Sequence, residues 1–186
     1  MATSEPAQPD KLLRRVALIG GECTGKTTLV AALAERYRTV HVPEFARDYL
    51  IPRGARYTLE QSATIARGQI AREDAIAPKA NRVLFCDTEA MATLIWSEYY
   101  FGQSHQAVRD LVQTRRYDLY LLTSPDFPWL HDGLRRSPAS REWFDQRFQQ
   151  ELESRNLPYV RVSGSLAQRI ETAANAIEPL LNVPPP

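Results

Sequence analysis

A glycine-rich stretch, GGECTGKTTLV at residues 20–30, joins an apolar run to a segment with the periodicity of a helix. It contains the complete pattern Gly-x-x-x-x-Gly-Lys-Thr, which runs from Gly20 to Thr27. Glycines let the backbone curl so that successive N–H groups face an anion, and the following helix adds the positive end of its dipole. Because a preceding strand and a following helix are the context that this motif requires, the stretch predicts a nucleoside triphosphate site in a parallel α/β fold.

Within this loop we expect the Lys26 ammonium to reach the β- and γ-phosphates and the Thr27 hydroxyl to bind Mg²⁺. We predict that the nucleotide is ATP. Eight consecutive residues are expected to surround its phosphates: Gly21, Glu22, Cys23, Thr24, Gly25, Lys26, Thr27 and Thr28. Cys23 has two interpretations, a redox-sensitive thiol beside the phosphates or a small residue that faces a neighbouring helix, and we favour the second.

Five short apolar segments predict strands: residues 15–19, 39–42, 82–86, 119–123 and 159–162. Continuous rather than alternating apolar character is typical of strands covered on both faces. Helical patterns lie between them at residues 26–36, 58–77, 88–101, 104–116 and 140–155, and a last one opens at Ser165. Capping-box patterns, Thr58 with Gln61 and Ser165 with Gln168, mark two of the helix starts. This alternation predicts a three-layer α/β/α sandwich around a five-stranded parallel sheet with right-handed crossovers.

The 186 residues suit a single domain, which we place at residues 14–182 between disordered tails at 1–13 and 183–186. The formal net charge of +1 gives no reason to expect a nucleic-acid or membrane-surface partner. No apolar run approaches the roughly 20 residues that span a bilayer. Since Cys23 and Cys86 are the only cysteines, we expect a reduced, cytoplasmic protein without a disulfide framework or a metal-ligand cluster. The sequence leaves the oligomeric state open.

Two carboxylates are expected at the carboxyl edge of the sheet, beside the phosphate loop. Asp87 ends the third predicted strand and could hold Mg²⁺ or accept a proton from an attacking hydroxyl; alternatively, Asp87 or Thr88 caps the next helix. Glu44 follows the second strand, and Arg47 comes three residues later. This pair suits a sugar hydroxyl and a phosphate, or it forms an ordinary surface ion pair. The sequence does not show whether Asp87 or Glu44 is the base.

Two loops after the later strands are also candidates. Residues 125–138 are rich in proline and include Arg135 and Arg136, which could screen charge on a triphosphate from a mobile lid or belong to a solvated basic loop. Residues 163–165 could contact the adenine ring or only cap the last helix.

Four stretches together resemble the ribosylnicotinamide kinase domain of NadR-type proteins. They are GGECTGKTTL, PEFARDYL, FCDTEA and YDLYLLTSPDFPWLHDGLRRS, in that order. The resemblance covers residues 16–180. The combination of Glu-aromatic-x-Arg-Asp-Tyr with Pro-Trp-x-x-Asp-Gly-x-Arg is far more specific than the phosphate loop alone.

The resemblance implies a P-loop fold of the nucleoside and nucleotide kinase type, with a lid after the fourth strand. It implies transfer of the ATP γ-phosphate to the 5′-hydroxyl of nicotinamide riboside, which gives nicotinamide mononucleotide in NAD salvage. Thr27 and Asp87 would serve Mg²⁺, and Glu44, Arg47 and Asp87 would surround the riboside. The catalytic residues would be Lys26, Asp87, Glu44, Arg135 and Arg136.

Pro43 stands before Glu44, where the resemblance leads us to expect tryptophan. Other aromatic residues could attract the cationic base instead, or simply pack in the core: Trp96, Tyr99, Tyr100 and Trp129. No His-x-Gly-His motif occurs among the three histidines, so we do not expect this chain to make NAD itself. The alternatives are a kinase for another nucleoside or a nucleoside monophosphate, and a regulatory P-loop ATPase or nucleotide switch without a small acceptor.

Overall fold

Five parallel strands form the central sheet of the computed structural model, which describes residues 13–126 and 140–182. The strands are β1 (Arg14–Ile19), β2 (His41–Val42), β3 (Val83–Asp87), β4 (Leu119–Thr123) and β5 (Tyr159–Val162). Their order in the sheet is β2-β3-β1-β4-β5, and every neighbouring pair is parallel. Strand β1 therefore lies in the middle, and the loop that follows it opens at the centre of the carboxyl edge.

Helices cover both faces of the sheet. On one face, α1 (Lys26–Arg36) and α7 (Leu166–Asn182) pack on Val16 and Leu18 of β1. On the other face, Ala17 and Ile19 of the same strand belong to a core built with α3 (Leu59–Ile76), α4 (Ala90–Phe101), α5 (Gln106–Thr114) and α6 (Arg141–Ser154). Because successive side chains of a strand point to opposite faces, both sets are buried, which explains the continuous apolar strands. The predicted three-layer α/β/α sandwich is confirmed.

Strand β2 is shorter than predicted, since the ladder begins at His41 rather than at residue 39. The Thr39 hydroxyl instead donates to the Val83 carbonyl and accepts from the Asn81 N–H, and the Thr39 N–H donates to the Ala34 carbonyl near the end of α1. Because Thr39 makes these bonds, it does not take part in the hydrogen-bond ladder between β2 and β3.

A helix that the sequence did not predict, α2 (Phe45–Leu50), follows β2. None of its residues is buried, so it lacks the apolar face by which helices are recognised in sequences. Its one sequence signal is the spacing of Phe45 and Tyr49, whose rings stack with their centroids 6.0 Å apart.

The predicted helix starts differ in accuracy. The capping box of Thr58 and Gln61 is confirmed at the start of α3, and Ser165 and Gln168 make the corresponding pair of bonds at α7. The prediction that Asp87 or Thr88 caps α4 was wrong, because the Glu89 side chain caps it by accepting from the Met91 N–H.

The start of α5 also differs from the prediction. The helix begins two residues later than expected, after His105, whose Nδ1 accepts from the Ala107 N–H.

Several predictions lie outside the described residues. These are residues 1–12 of the predicted N-terminal tail, the C-terminal tail at 183–186, and residues 127–138 of the predicted lid, with Trp129, Arg135 and Arg136. Among the helices of residues 13–126 and 140–182, none is long and apolar enough to cross a bilayer.

Candidate active site

The loop between β1 and α1 has the curled backbone that its glycines predict. Gly20 has φ +141°, and a side chain there would collide with Thr123 on β4. Gly25 has φ +79° and immediately precedes the helix. Both positions therefore need glycine for conformational reasons, and Gly20 needs it for space as well. The Thr24 side chain, buried inside the curve, donates to the Gly21 carbonyl and accepts from the Thr123 hydroxyl at 2.7 Å.

The Lys26 ammonium lies on the loop itself. Its Nζ donates to the Gly20 carbonyl at 2.9 Å and to the Gly21 carbonyl at 2.7 Å. Burial lowers the pKa of Lys26, and the carboxylates of Asp87 and Glu44 oppose that effect. The Lys26 ammonium is desolvated, bonds to two carbonyl oxygens and lies in the field of two carboxylates. Phosphate oxygens can take the place of the carbonyl oxygens, so this side chain is positioned to bind an anionic ligand.

Thr27 and Asp87 are in direct contact, as their shared assignment to Mg²⁺ requires. The Thr27 hydroxyl donates to Asp87 Oδ2 at 2.6 Å. The Asp87 side chain is almost fully buried, and its Oδ1 has no hydrogen-bond partner among the described residues. A buried carboxylate oxygen without a donor is costly unless a cation or a ligand satisfies it. A hydroxyl and a carboxylate are hard oxygen donors, so this pair fits Mg²⁺.

Glu44 and Arg47 approach the same site from the second strand. Glu44 is the residue before α2, and its Oε2 lies 3.7 Å from Arg47 Nε. The Glu44 side chain is 25% exposed and that of Arg47 43%. Burial raises the pKa of Glu44, Lys26 opposes the rise, and Asp87 adds to it. The ion pair is therefore present, and both residues also line the cavity beside the phosphate loop, so the pair does not conflict with the predicted role at the site.

A cavity of about 230 Å³ joins these elements. Seven loop residues, from Glu22 to Thr28, line one side, and Glu44, Arg47 and Trp96 line another part. Gly21 and Asp87 do not line it: Gly21 is buried against Phe144, and Asp87 is reached through Thr27. Among the described residues, no group of three or more His, Cys, Asp or Glu side chains forms a metal cluster, so a cation here would rely on few protein ligands.

The aromatic residues divide into two groups. Trp96 lines the cavity and stacks on Tyr100, which also lines it, with centroids 5.7 Å apart. Tyr99 meets the Trp96 ring edge-on, with centroids 6.5 Å apart, and packs against Trp143 and Phe144 with centroids 5.0 and 4.8 Å apart. Tyr99 thus belongs to the same aromatic cluster as Trp96 but is not among the residues that line the cavity.

The structure adds residues that the sequence did not single out. Tyr57, just before the capping box of α3, lines the cavity together with Thr93 of α4. Arg141, the first residue of α6, directs Nη2 at the Cys23 carbonyl, 3.5 Å away. Arg169 of α7 reaches the phosphate loop from behind. No local pattern marks these side chains, because their positions depend on how α4, α6 and α7 pack on the sheet.

The chain is similar in sequence to known proteins. The chain is 36% identical over 156 residues to the trifunctional NAD biosynthesis/regulator protein NadR of Escherichia coli (strain K12), a match that covers 81% of this chain and 38% of that protein. The chain therefore spans less than half the length of this relative.

Solved structures share the fold. A NadR protein in complex with NR superposes with a TM-score of 0.78 at 24% identity, over 93% of this chain and 53% of that one. Thymidylate kinase from Candida albicans superposes with a TM-score of 0.61 at 12% identity, over 90% and 92% of the two chains. The fold is thus that of P-loop nucleoside and nucleotide kinases.

The model of a family described as an AAA domain matches residues 15–169. The match begins in β1, includes the complete phosphate loop and extends into α7. The chain therefore belongs to this AAA-domain family of P-loop proteins.

Proposed function

We propose that residues 14–182 form an ATP-dependent kinase domain that phosphorylates nicotinamide riboside to nicotinamide mononucleotide. One observation carries the proposal: the phosphate loop and the carboxylate of Glu44 line a single cavity, and Asp87 lies directly behind Thr27 at its wall. The similarity to NadR proteins supports the choice of acceptor. The chain spans only part of those relatives, so this activity is a proposal for the domain alone.

The donor side of the proposed reaction is the phosphate loop. The N–H groups of residues 21–28 bind the phosphates of ATP, and the helix dipole of α1 adds to the attraction. Lys26 leaves the Gly20 and Gly21 carbonyls and contacts the β- and γ-phosphates. Thr27 and Asp87 would hold Mg²⁺, which would neutralise phosphate charge.

The acceptor side lies between β2 and α4. The acceptor 5′-oxygen forms a bond to the γ-phosphorus as the bond to the departing ADP oxygen breaks, and a carboxylate takes the hydroxyl proton. Glu44 is our choice for this base, because Asp87 is committed to Thr27. Arg47 and Trp96 contact the riboside, and Tyr99, Trp129, Arg135 and Arg136 keep their proposed roles in base binding and phosphate screening.

The test is acceptor-dependent consumption of ATP by the purified protein with Mg²⁺. The panel holds nicotinamide riboside, the common nucleosides, their monophosphates and no acceptor, and mass spectrometry identifies the products. We expect nicotinamide mononucleotide to form only with nicotinamide riboside. Lys26→Ala should abolish turnover, whereas Lys79→Ala, an exposed lysine outside the cavity, should leave it unchanged.

Other outcomes reassign the site. Turnover with a different nucleoside or with a monophosphate would retain the phosphate chemistry and overturn the acceptor. Slow ATP hydrolysis that no small acceptor stimulates would favour the regulatory switch.

A further inference from the structure

Arg169, in the first turn of α7, is a buried cation for which the proposed reaction has no use. Its side chain is 1% exposed, and Arg169 is not among the residues that line the cavity. Burying a guanidinium is unfavourable unless its N–H groups find partners. Its partners therefore indicate what the residue does.

The guanidinium bonds to three separate loops at the carboxyl edge of the sheet. Nη1 donates to the Thr24 carbonyl in the phosphate loop at 2.8 Å. Nη2 donates to the Ser124 carbonyl after β4 at 3.1 Å and to the Asp126 carboxylate. Nε donates to the Gly164 carbonyl after β5 at 3.0 Å. The second oxygen of Asp126 accepts from the Gly164 N–H at 2.6 Å, so the last two loops are also joined directly.

The bond to Thr24 matters because of how a phosphate loop works. When successive N–H groups turn inward to face an anion, the carbonyl groups of the same peptides turn outward and need donors of their own. Arg169 supplies the donor for Thr24, a residue that is itself 1% exposed, and the bond between them is buried. Without that donor the carbonyl would be buried and unsatisfied, and rotation of the peptide would relieve it by turning an N–H group away from the phosphates.

We propose that Arg169 is a positioning residue for the donor nucleotide, which holds the phosphate loop and the loops after β4 and β5 in one fixed arrangement. It touches neither ATP nor the acceptor and acts through Thr24 and Gly164. The inference rests on the proposed ATP site but not on the identity of the acceptor. Arg169 governs the donor side, because these partners lie in the phosphate loop and in the loops after β4 and β5.

The experiment measures binding of a non-hydrolysable ATP analogue with Mg²⁺ to the unmodified protein, Arg169→Met and Arg169→Lys. All measurements are made at least about 15 °C below the melting temperature of the weakest variant, so that every sample is folded. We expect Arg169→Met to raise the Kd for the analogue by at least about tenfold. Arg169→Lys should raise it less, because the lysine ammonium can replace some of the hydrogen bonds of the guanidinium. With the active acceptor, KM for ATP should rise in parallel while KM for the acceptor stays within about twofold.

The matched control is Arg147→Met on α6. Arg147 has a partly buried side chain and pairs with Glu98 of α4 and Glu151 of α6, neither of which belongs to the phosphate loop. We expect this variant to lose thermal stability and to keep its affinity for the analogue within about twofold, since loss of an ion pair alone affects folding.

The outcomes separate this inference from the proposed function. Unchanged analogue affinity in folded Arg169→Met would overturn it, and so would an equal rise in KM for donor and acceptor, which would indicate a purely structural role. If Arg169→Met does not fold, Arg169→Lys decides by the same criteria. If the variants bind the analogue more weakly but the unmodified protein turns over no acceptor, the positioning role of Arg169 is supported and the proposed kinase function is overturned. Failure of the unmodified protein to bind the analogue would overturn both.

Discussion

At the scale of single residues, the two carboxylates of the site have different environments. Asp87 is buried and bound to the Thr27 hydroxyl, whereas Glu44 is a quarter exposed and paired with Arg47. Their sequence contexts are alike, since each stands at the end of a strand. The difference arises from the neighbouring strand, because β1 lies beside β3 and brings Thr27 to Asp87.

We expect Glu44→Gln to lower kcat by at least about tenfold with little change in ATP affinity, as removal of a general base does. Burial raises the pKa of Glu44 above 4.5, and a base works only when deprotonated. Turnover of the unmodified protein should therefore fall as the pH drops through that raised pKa. Steady-state kinetics from pH 5 to 8 measure this effect, and a variant with normal turnover would contradict the assignment.

Asp87→Asn should behave differently. It removes the charge beside Thr27, so we expect a higher Mg²⁺ requirement as well as slower turnover. Titration of Mg²⁺ at saturating ATP separates the two variants. Equal Mg²⁺ dependence in Asp87→Asn and the unmodified protein would argue against the metal assignment.

Glu89, the cap of α4, makes stability depend on pH. Burial raises its pKa to about 8, Glu73 and Glu151 add to the rise, and Arg155 opposes it. Between pH 4.5 and about 8 the folded protein keeps this proton and the unfolded chain has lost it, so the free energy of unfolding should decrease as the pH rises. The decrease is at most about 5 kcal/mol.

Chemical denaturation at several pH values tests this expectation. Glu89→Gln still offers an oxygen to the Met91 N–H but cannot titrate, so its stability should vary less with pH. Glu35→Gln, on the exposed side of α1, should follow the unmodified protein. Parallel curves for all three proteins would show that Glu89 titrates normally.

At the scale of elements, helix α3 fixes the position of α2 and thereby of Glu44. The Phe45 N–H donates to the buried Gln69 side chain at 2.8 Å, and Arg72 bonds to Asp48 and lies over the Phe45 ring. Gly68 leaves the space that this ring fills. Helix α2 buries nothing of its own, so these contacts with α3 hold it in place.

Gly68→Ala should therefore weaken acceptor binding. Alanine normally stabilises a helix interior by about 1 kcal/mol relative to glycine. Here the added Cβ would collide with the Phe45 ring, and overpacking costs about 1–3 kcal/mol. We expect a net loss of stability and a higher KM for the acceptor, measured by thermal unfolding and kinetics. Thr64→Ala, on the exposed face of the same helix, is the control; a stabilised Gly68→Ala would contradict the close packing.

At the scale of the whole molecule, the strand order brings the site together. Strand β1 lies between β3 and β4, so the phosphate loop meets Asp87 on one side and Thr123 on the other. Helix α7, the last element, returns to this loop through Arg169. Ligand binding should therefore stabilise the fold as a unit.

We expect ATP with Mg²⁺ to raise the melting temperature, because a ligand at 100 times its Kd stabilises the folded state by about 2.7 kcal/mol. Chelation of Mg²⁺ with EDTA should remove most of the gain. Lys26→Ala should lose the response and Lys79→Ala should keep it. A melting temperature that ATP does not change would contradict the nucleotide site.

Local rules in the chain were enough to predict the sandwich, the phosphate loop and the capping boxes of α3 and α7. A glycine pattern, an apolar strand, or a threonine or serine three residues before a glutamine acts on its nearest neighbours, so its effect is visible in the sequence. The placement of Asp87 at the carboxyl edge followed from the same local information, because it ends a strand.

The remaining features depend on distant residues. Helix α2 is held by contacts with Gln69 and Arg72, and the α4 cap is Glu89 rather than Thr88. Of the neighbouring rings on α4, Trp96 lines the cavity and Tyr99 does not. The clearest case is Arg169, which lies 145 residues from Thr24 in the sequence. Nothing in the sequence around it distinguishes Arg169 from other arginines in the first turn of a helix. Only tertiary packing made it a buried partner of the phosphate loop, because the free energy of its charge is set by the loops that surround it.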